Sequence, residues 1–301
     1  PLLDSVSGNI RTGLFHSWPS FGTMTLMRNS IDNNLPVGIF DSGVGGLTVL
    51  NAIRAELPHE NLVYLGDTAR LPYGTKSPAS IARYATQATA KLKDQGIKLL
   101  VVACNTASAV ALEALRNQMS PLTVIGVVEP GASAAVAACP GGSHLVLATE
   151  ATVGLGAYRD AISALDPAAI VKEKACEMLV ALAEEGWTDG DIAASIIRRY
   201  LTAADDGAFR ADSIILGCTH FPLLKEAIRA EADPGVQIVD SASTTASVVS
   251  QSLQSAGIRR QSREAGTLRL LATDGATRFA RVGGLFLGEP LSYSDIEVVD
   301  L

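Results

Sequence analysis

The strongest constraint on the fold is an alternation of two patterns along the chain. Short apolar runs, VGIF (37–40), LVYLG (62–66) and LLVVA (99–103), are separated by longer amphipathic stretches, including SIARYATQATAKLKDQG (80–96) and AVALEALRNQM (109–119). Strands buried on both faces read as unbroken hydrophobic runs, and parallel neighbours need a crossover that is usually a helix. The first part of the chain therefore reads as βαβ units, a parallel sheet with helices on both faces. HLVLA (144–148), AYRDAISAL (157–165), DIAASIIRRYLTAA (191–204) and SIILG (213–217) repeat the scheme.

The expected fold class is α/β, with two similar lobes, each a mostly parallel sheet flanked by helices, and the active site in the cleft between them. VDSASTTASVVSQSL (239–253) and TLRLLATDG (267–275) follow after a second lobe would be complete. The chain is thus expected to cross back, giving a discontinuous first lobe of residues 36–131 and 240–301 and a second lobe of residues 132–239. Residues 1–35 show neither helical nor strand periodicity and are expected to form an extension, with Met24 or Met27 as a candidate natural start. With 301 residues, 48% of them hydrophobic, there is material for two cores.

The net charge of −7, without a Lys/Arg block, argues against a nucleic-acid surface and for a small-molecule partner. No apolar run reaches the roughly 18 residues a bilayer requires, and the first 30 residues lack a signal-peptide pattern, so the expectation is no membrane and a cytoplasmic location. Four cysteines (Cys104, Cys139, Cys176 and Cys218), none in a CxxC pair, read as free thiols.

In parallel α/β sheets, ligands sit beyond the carboxyl ends of strands, where helix N-termini present unpaired N–H groups. The notable motifs fall there: DSGVGG (41–46), ACNTAS (103–108), ATEATVG (148–154) and GCTHFP (217–222). DSGVGG alone reads first as a tight strand-to-helix turn, although Asp41, at the end of a buried strand, must find a partner or a task. A lone Cys104 reads as core packing. Cys218 changes that, because VVACNTAS and ILGCTHFP form a weak internal repeat that puts one cysteine at an equivalent strand end of each lobe, facing across the cleft.

Asn105, Thr106 and Thr219 add neutral hydrogen-bonding groups beside the thiols, and Asp41 and His220 can share or steer a proton. Cys104, Cys218 and His220 could bind zinc, but no fourth ligand is evident and the flanking hydroxyls suit a substrate better, so no metal is expected. Without CxxC, disulfide exchange is a poor fit. Two opposed thiols can instead remove a proton from one face of a carbon and return one to the other. That is racemisation without a cofactor, within reach of a group whose ordinary pKa is about 8.5.

With these residues in view, the chain resembles glutamate racemase of the aspartate/glutamate racemase superfamily. DSGVGG, PYG (72–74), ACNTAS, GVVEPG (126–131), ATEATV, EEGW (184–187) and GCTHFPLL (217–224) occur in that family's order between residues 36 and 288. The resemblance implies that Cys104 and Cys218 are the acid/base pair, with Asp41 and His220 assisting them. It implies substrate binding by Asp41, Ser42, Tyr73, Gly74, Asn105, Thr106, Thr219 and His220. Supporting roles fall to Asp67, Thr149, Thr152 and Glu185, with Glu184 the alternative alignment to Glu185. It further implies D-glutamate supply for peptidoglycan, a homodimer, and a nucleotide-linked cell-wall precursor as activator, a response that residues 1–35 leave open. The chain departs from the family pattern at Cys176-Glu177, where Cys-Pro is usual, and at VGLGAY (153–158), where a serine is common. The alternatives are racemisation of aspartate or a related amino acid, and a two-lobed amino-acid-binding regulatory protein without turnover.

Overall fold

A computed structural model describes residues 32–204 and 209–301. The chain alternates from the start: β1 (Val37–Asp41), α1 (Leu47–Glu56), β2 (Leu62–Gly66), α2 (Pro78–Asp94), β3 (Leu99–Val102), α3 (Asn105–Met119), β4 (Thr123–Gly126) and α4 (Val128–Ala138). A second series follows with β5 (Ser143–Ala148), α5 (Glu150–Leu155), α6 (Ala157–Leu165), β6 (Ile170–Ala175), α7 (Glu177–Glu184), α8 (Gly190–Ala204), β7 (Ser213–Gly217), α9 (Lys225–Glu231) and β8 (Gln237–Asp240). The chain ends with α10 (Ser241–Ala256), β9 (Leu268–Ala272), α11 (Ala276–Leu287) and β10 (Ile296–Val298).

The strands form two sheets, a six-stranded one in the order β10-β9-β2-β1-β3-β4 and a four-stranded one in the order β6-β5-β7-β8. Every pairing is parallel, as the unbroken apolar runs require. β9 joins β2, so the chain returns to the first sheet after leaving the second. Of the segment expected as an extension, residues 1–31, including Met24 and Met27, lie outside the described residues. Residues 33 and 34 are tied to the sheet: Lys98 Nζ donates to the Asn33 carbonyl and Asn61 Nδ2 to that of Asn34. Lys98 is buried and is neutralised by an ion pair with Glu60, without which such burial would be strongly unfavourable.

Local signals explain where several elements differ from the apolar pattern. α2 begins ahead of SIARY because Ser77 Oγ accepts from the Ser80 N–H and Pro78 occupies the first turn, where its missing N–H costs nothing. α3 begins four residues before AVALEALRNQM because the Cys104 side chain caps it, accepting from the Ala107 N–H at 3.4 Å. Asn105 and Thr106 thus stand in the first turn of a helix. β6, with the sequence IVKEKA, is a partly exposed edge strand with three charged residues, so it carries no apolar run.

Candidate active site

The two series bring their strand ends together. Cys104 follows β3 of the first sheet and Cys218 follows β7 of the second, and the two line one cleft. Ser42, Tyr73, Gly74, Asn105, Thr106, Thr149, Thr219 and His220 line it with them. The cleft has about 400 Å3 of empty space, part of it open to solvent. Among the described residues, its wall contains no Lys or Arg.

Hydrogen bonds from one half to the other hold the cleft together. Asn105 Nδ2 donates to the Tyr158 hydroxyl at 2.8 Å, leaving the buried Asn105 Oδ1 without a protein partner. Thr106 and Thr149 share a hydroxyl hydrogen bond at 3.0 Å, and Thr48 Oγ1 donates to the Thr219 carbonyl at 2.9 Å. Tyr158 reaches Asn105 from the start of α6, which follows α5 after a sharp break at Gly156 (φ 63°), a conformation only glycine adopts without strain. The departure VGLGAY therefore sits at this break.

Each thiol has a distinct environment. Cys104 is 5% exposed and donates to Ser42 Oγ at 3.4 Å. Burial and, secondarily, the Asp41 carboxylate push its pKa up to about 12, against weaker opposition from Ser42 and the Ala107 N–H, so it rests as a thiol. Cys218 is 6% exposed, with His220 Nδ1 3.7 Å from its sulfur. The other ring nitrogen of His220 meets Glu184 Oε1 at 3.2 Å, and Glu184 Oε2 accepts from Arg278 at 2.7 Å. Burial alone would lower the His220 pKa, but Cys218 and Glu184, bonded to its two nitrogens, raise it to about 10. The ring keeps its proton at neutral pH.

Asp41, Asp67 and Thr152 do not line the cleft but are buried behind it. Asp41 Oδ2 accepts from the Gly43 N–H at 2.9 Å, while Oδ1 has no partner. Burial raises the Asp41 pKa, partly offset by His220 and by the N–H groups of Gly46, Gly43 and Ser42. Asp67 accepts from the Tyr73 hydroxyl, from Arg70 Nε at 2.7 Å and from Thr273 Oγ1 at 3.0 Å. Burial, followed by the Asp67 carboxylate, raises the Tyr73 pKa and keeps its hydroxyl protonated. Thr152 supports Thr149 at 3.1 Å.

Glu185, expected as a supporting acid, does not line the cleft. It is exposed at the end of α7, and Glu184 is the carboxylate that meets His220. The helical period explains the choice: Glu177, Val180 and Glu184 are spaced i, i+3, i+7 on one face, and the first two line the cleft. Glu177, the departure after Cys176, also accepts from the Glu150 N–H at the start of α5. Tyr158, Glu177 and Arg278 are not among the site residues expected from the sequence, whereas Glu184 is the alternative given there to Glu185. Among the described residues, no group of three or more His, Cys, Asp or Glu side chains is placed to hold a metal ion.

Fold and cleft together define an α/β protein with a cleft between two parallel sheets, at the carboxyl ends of their strands, the place where small ligands bind in such folds. The Asp/Glu/Hydantoin racemase family model matches residues 47–249. The chain is 47% identical over 255 residues to the glutamate racemase of Geobacter metallireducens, covering 85% of this chain and 93% of that one. Among solved structures it is similar to the glutamate racemase of Francisella tularensis in complex with D-glutamate, with a TM-score of 0.82 and 33% identity over 89% of this chain and 98% of that one. It is also similar to the Escherichia coli enzyme in complex with L-glutamate and the activator UDP-MurNAc-ala, with a TM-score of 0.68 and 30% identity over 84% of this chain and 95% of that one. The chain belongs to the Asp/Glu/hydantoin racemase family, and within it to the glutamate racemases, which are isomerases.

Proposed function

We propose that the chain interconverts L- and D-glutamate by passing protons between Cα and two thiols, with no cofactor, and so supplies D-glutamate for peptidoglycan. With L-glutamate, the Cys218 thiolate takes the Cα proton, and the Cys104 thiol gives its proton to the opposite face. The products are D-glutamate, a Cys218 thiol and a Cys104 thiolate, and D-glutamate reverses each step. Asp41 assists Cys104, and His220 assists Cys218. The observation that carries this reading is that cysteines from the ends of two different sheets line a single cleft.

Neutral groups suit the binding step. With no Lys or Arg among the described residues of the wall, the substrate carboxylates fall to hydroxyls and N–H groups of Ser42, Gly74, Thr106, Thr149 and Thr219. Asn105 Oδ1, buried and unpartnered, is free to accept from the substrate ammonium group. Asp67 and Thr152 act from behind by fixing Tyr73 and Thr149. In this reading the first lobe comprises residues 36–131 and 240–301, the second comprises residues 132–239, and catalysis occurs where they meet.

The proposal extends to a homodimer in the cytoplasm that responds to a nucleotide-linked wall precursor. Its support is the family resemblance, the activator held by the Escherichia coli relative, and the lack, among the described residues, of a helix long and apolar enough to cross a membrane. The test incubates the purified chain with L-glutamate, and separately with L-aspartate, in buffer with a chelator and no added cofactor. Chiral chromatography is expected to find D-glutamate approaching half of the pool and aspartate turnover about 10- to 200-fold slower, the scale on which a site discriminates a substrate one methylene shorter. Comparable aspartate turnover, or activity that appears only with added metal or pyridoxal phosphate, would contradict the proposal.

A further inference from the structure

We infer that Arg278 is a positioning residue for the half of the reaction carried by Cys218, holding Glu184 in the orientation that sets His220 against the thiol. The inference rests on the two-thiol reading above. Arg278 lies on α11, between β9 and β10 of the six-stranded sheet, whereas Glu184 ends α7 and His220 follows β7, both in the part of the chain that builds the four-stranded sheet. Arg278 Nη2 donates to Glu184 Oε2 at 2.7 Å, Glu184 Oε1 meets His220 Nε2 at 3.2 Å, and His220 Nδ1 lies 3.7 Å from Cys218 Sγ. The same helix touches the relay a second time, with the Phe286 ring edge-on to His220, centroids 5.1 Å apart and planes at 81°.

The arrangement has a physical consequence. A carboxylate with one oxygen fixed by a guanidinium cannot rotate freely, so its second oxygen stays aimed at the imidazole. A ring held at Nε2 by Glu184 and packed crosswise against Phe286 has its remaining nitrogen fixed toward the sulfur. Among the described residues Cys104 has no such chain, since its hydrogen bonds are to Ser42 Oγ and from the Ala107 N–H. The effect of losing Arg278 is therefore directional. Glu184 and Arg278 also border a cavity whose other walls include Val44, Leu71, Phe279 and Val282. The Arg278 side chain is 58% exposed, so shortening it removes little packing.

Because the enantiomers have equal free energy in solution, kcat/KM is equal in the two directions for every variant, and asymmetry must be sought in isotope effects. The primary isotope effect on kcat/KM with Cα-deuterated substrate reports how much of the barrier lies in proton removal by that side's thiol. Weakening the Cys218 side raises the effect with L-glutamate and lowers it with D-glutamate. Arg278→Met is expected to lower kcat about tenfold with KM within about twofold of wild type, because the residue positions the relay without lining the cleft. Its isotope effects should shift in the same sense as those of Glu184→Gln and His220→Asn, and opposite to those of Asp41→Asn. Arg278→Lys should recover most of the loss. An unchanged isotope balance in Arg278→Met, even with a lowered melting temperature, would reduce Arg278 to a structural contact and overturn the inference, as would a loss confined to KM. Failure of the two-thiol reading has a different signature: racemisation that survives removal of a cysteine.

Discussion

Cys104→Ala and Cys218→Ala are each expected to lower the rate of racemisation by about 10^2- to 10^4-fold, the usual contribution of a positioned acid or base, and to leave the far-ultraviolet circular dichroism unchanged. In the proposed mechanism one thiol reaches one face of Cα, so removing either would leave that face without a proton donor or acceptor. The effect on folding is small by comparison. Cys104 caps α3, and losing a cap costs about 1 kcal/mol. Cys218, also buried, leaves a cavity no larger than one sulfur atom. Against a typical domain stability of about 5–15 kcal/mol, neither change unfolds the protein. The check is chiral chromatography beside circular dichroism for each variant. Racemisation within about tenfold of wild type in either, with native structure, would remove the two-thiol mechanism.

Gly45→Ala is expected to lower kcat/KM by about 10^2-fold while leaving most of the fold intact. A Cβ at this position would collide with His220 Nδ1 and Thr219 Oγ1. Neither neighbour has room to move: His220 is held by Glu184 on one side and by the Phe286 ring on another, and the Thr219 carbonyl is tied to Thr48. The strain must therefore fall on the imidazole beside Cys218. A misplacement of about 1 Å at a reacting group typically costs that factor. Steady-state kinetics with both enantiomers and a melting temperature provide the check. Full activity would show that His220 can shift without consequence, against the role given to it.

Much of this was legible in the sequence, and what was missed has identifiable causes. LVYLG, SIILG and AYRDAISAL coincide residue for residue with β2, β7 and α6, because a strand buried on both faces and a helix with one apolar stripe both announce their period. IVKEKA did not announce β6, since an edge strand can carry charge on faces that reach solvent. The amphipathic stretch AVALEALRNQM lacks the first turn of α3, because a cysteine cap lies outside the Ser, Thr, Asp and Asn that normally signal one. DSGVGG was read first as a turn for close packing, and it is that: Gly45 admits His220, and a Cβ at Gly46 would strike Asp41. It also supplies Ser42 to the cleft, so the two readings are not exclusive.

In the cleft, the repeat of VVACNTAS and ILGCTHFP at equivalent strand ends is what points to Cys104 and Cys218 together, and both line it. Choosing between Glu184 and Glu185 needed the phase of α7, which was available in the i, i+3, i+7 spacing from Glu177. Arg278 left no local trace. It meets Glu184 from 94 residues away, and nothing in ATRFARVGG marks that arginine above Arg281 one turn later.

The most direct test of two opposed acid/base groups is the position of the label when L-glutamate is racemised in deuterium oxide and stopped within the first few per cent of conversion. A thiol that donates a solvent-derived proton from the face opposite the abstracting thiol must give D-glutamate carrying one deuterium at Cα, while the remaining L-glutamate stays almost entirely protiated. The same pattern, with the enantiomers exchanged, is predicted from D-glutamate. D-glutamate that retains the original protium, or deuterium entering the remaining L-glutamate as fast as product forms, would mean that one group serves both faces and would contradict the account.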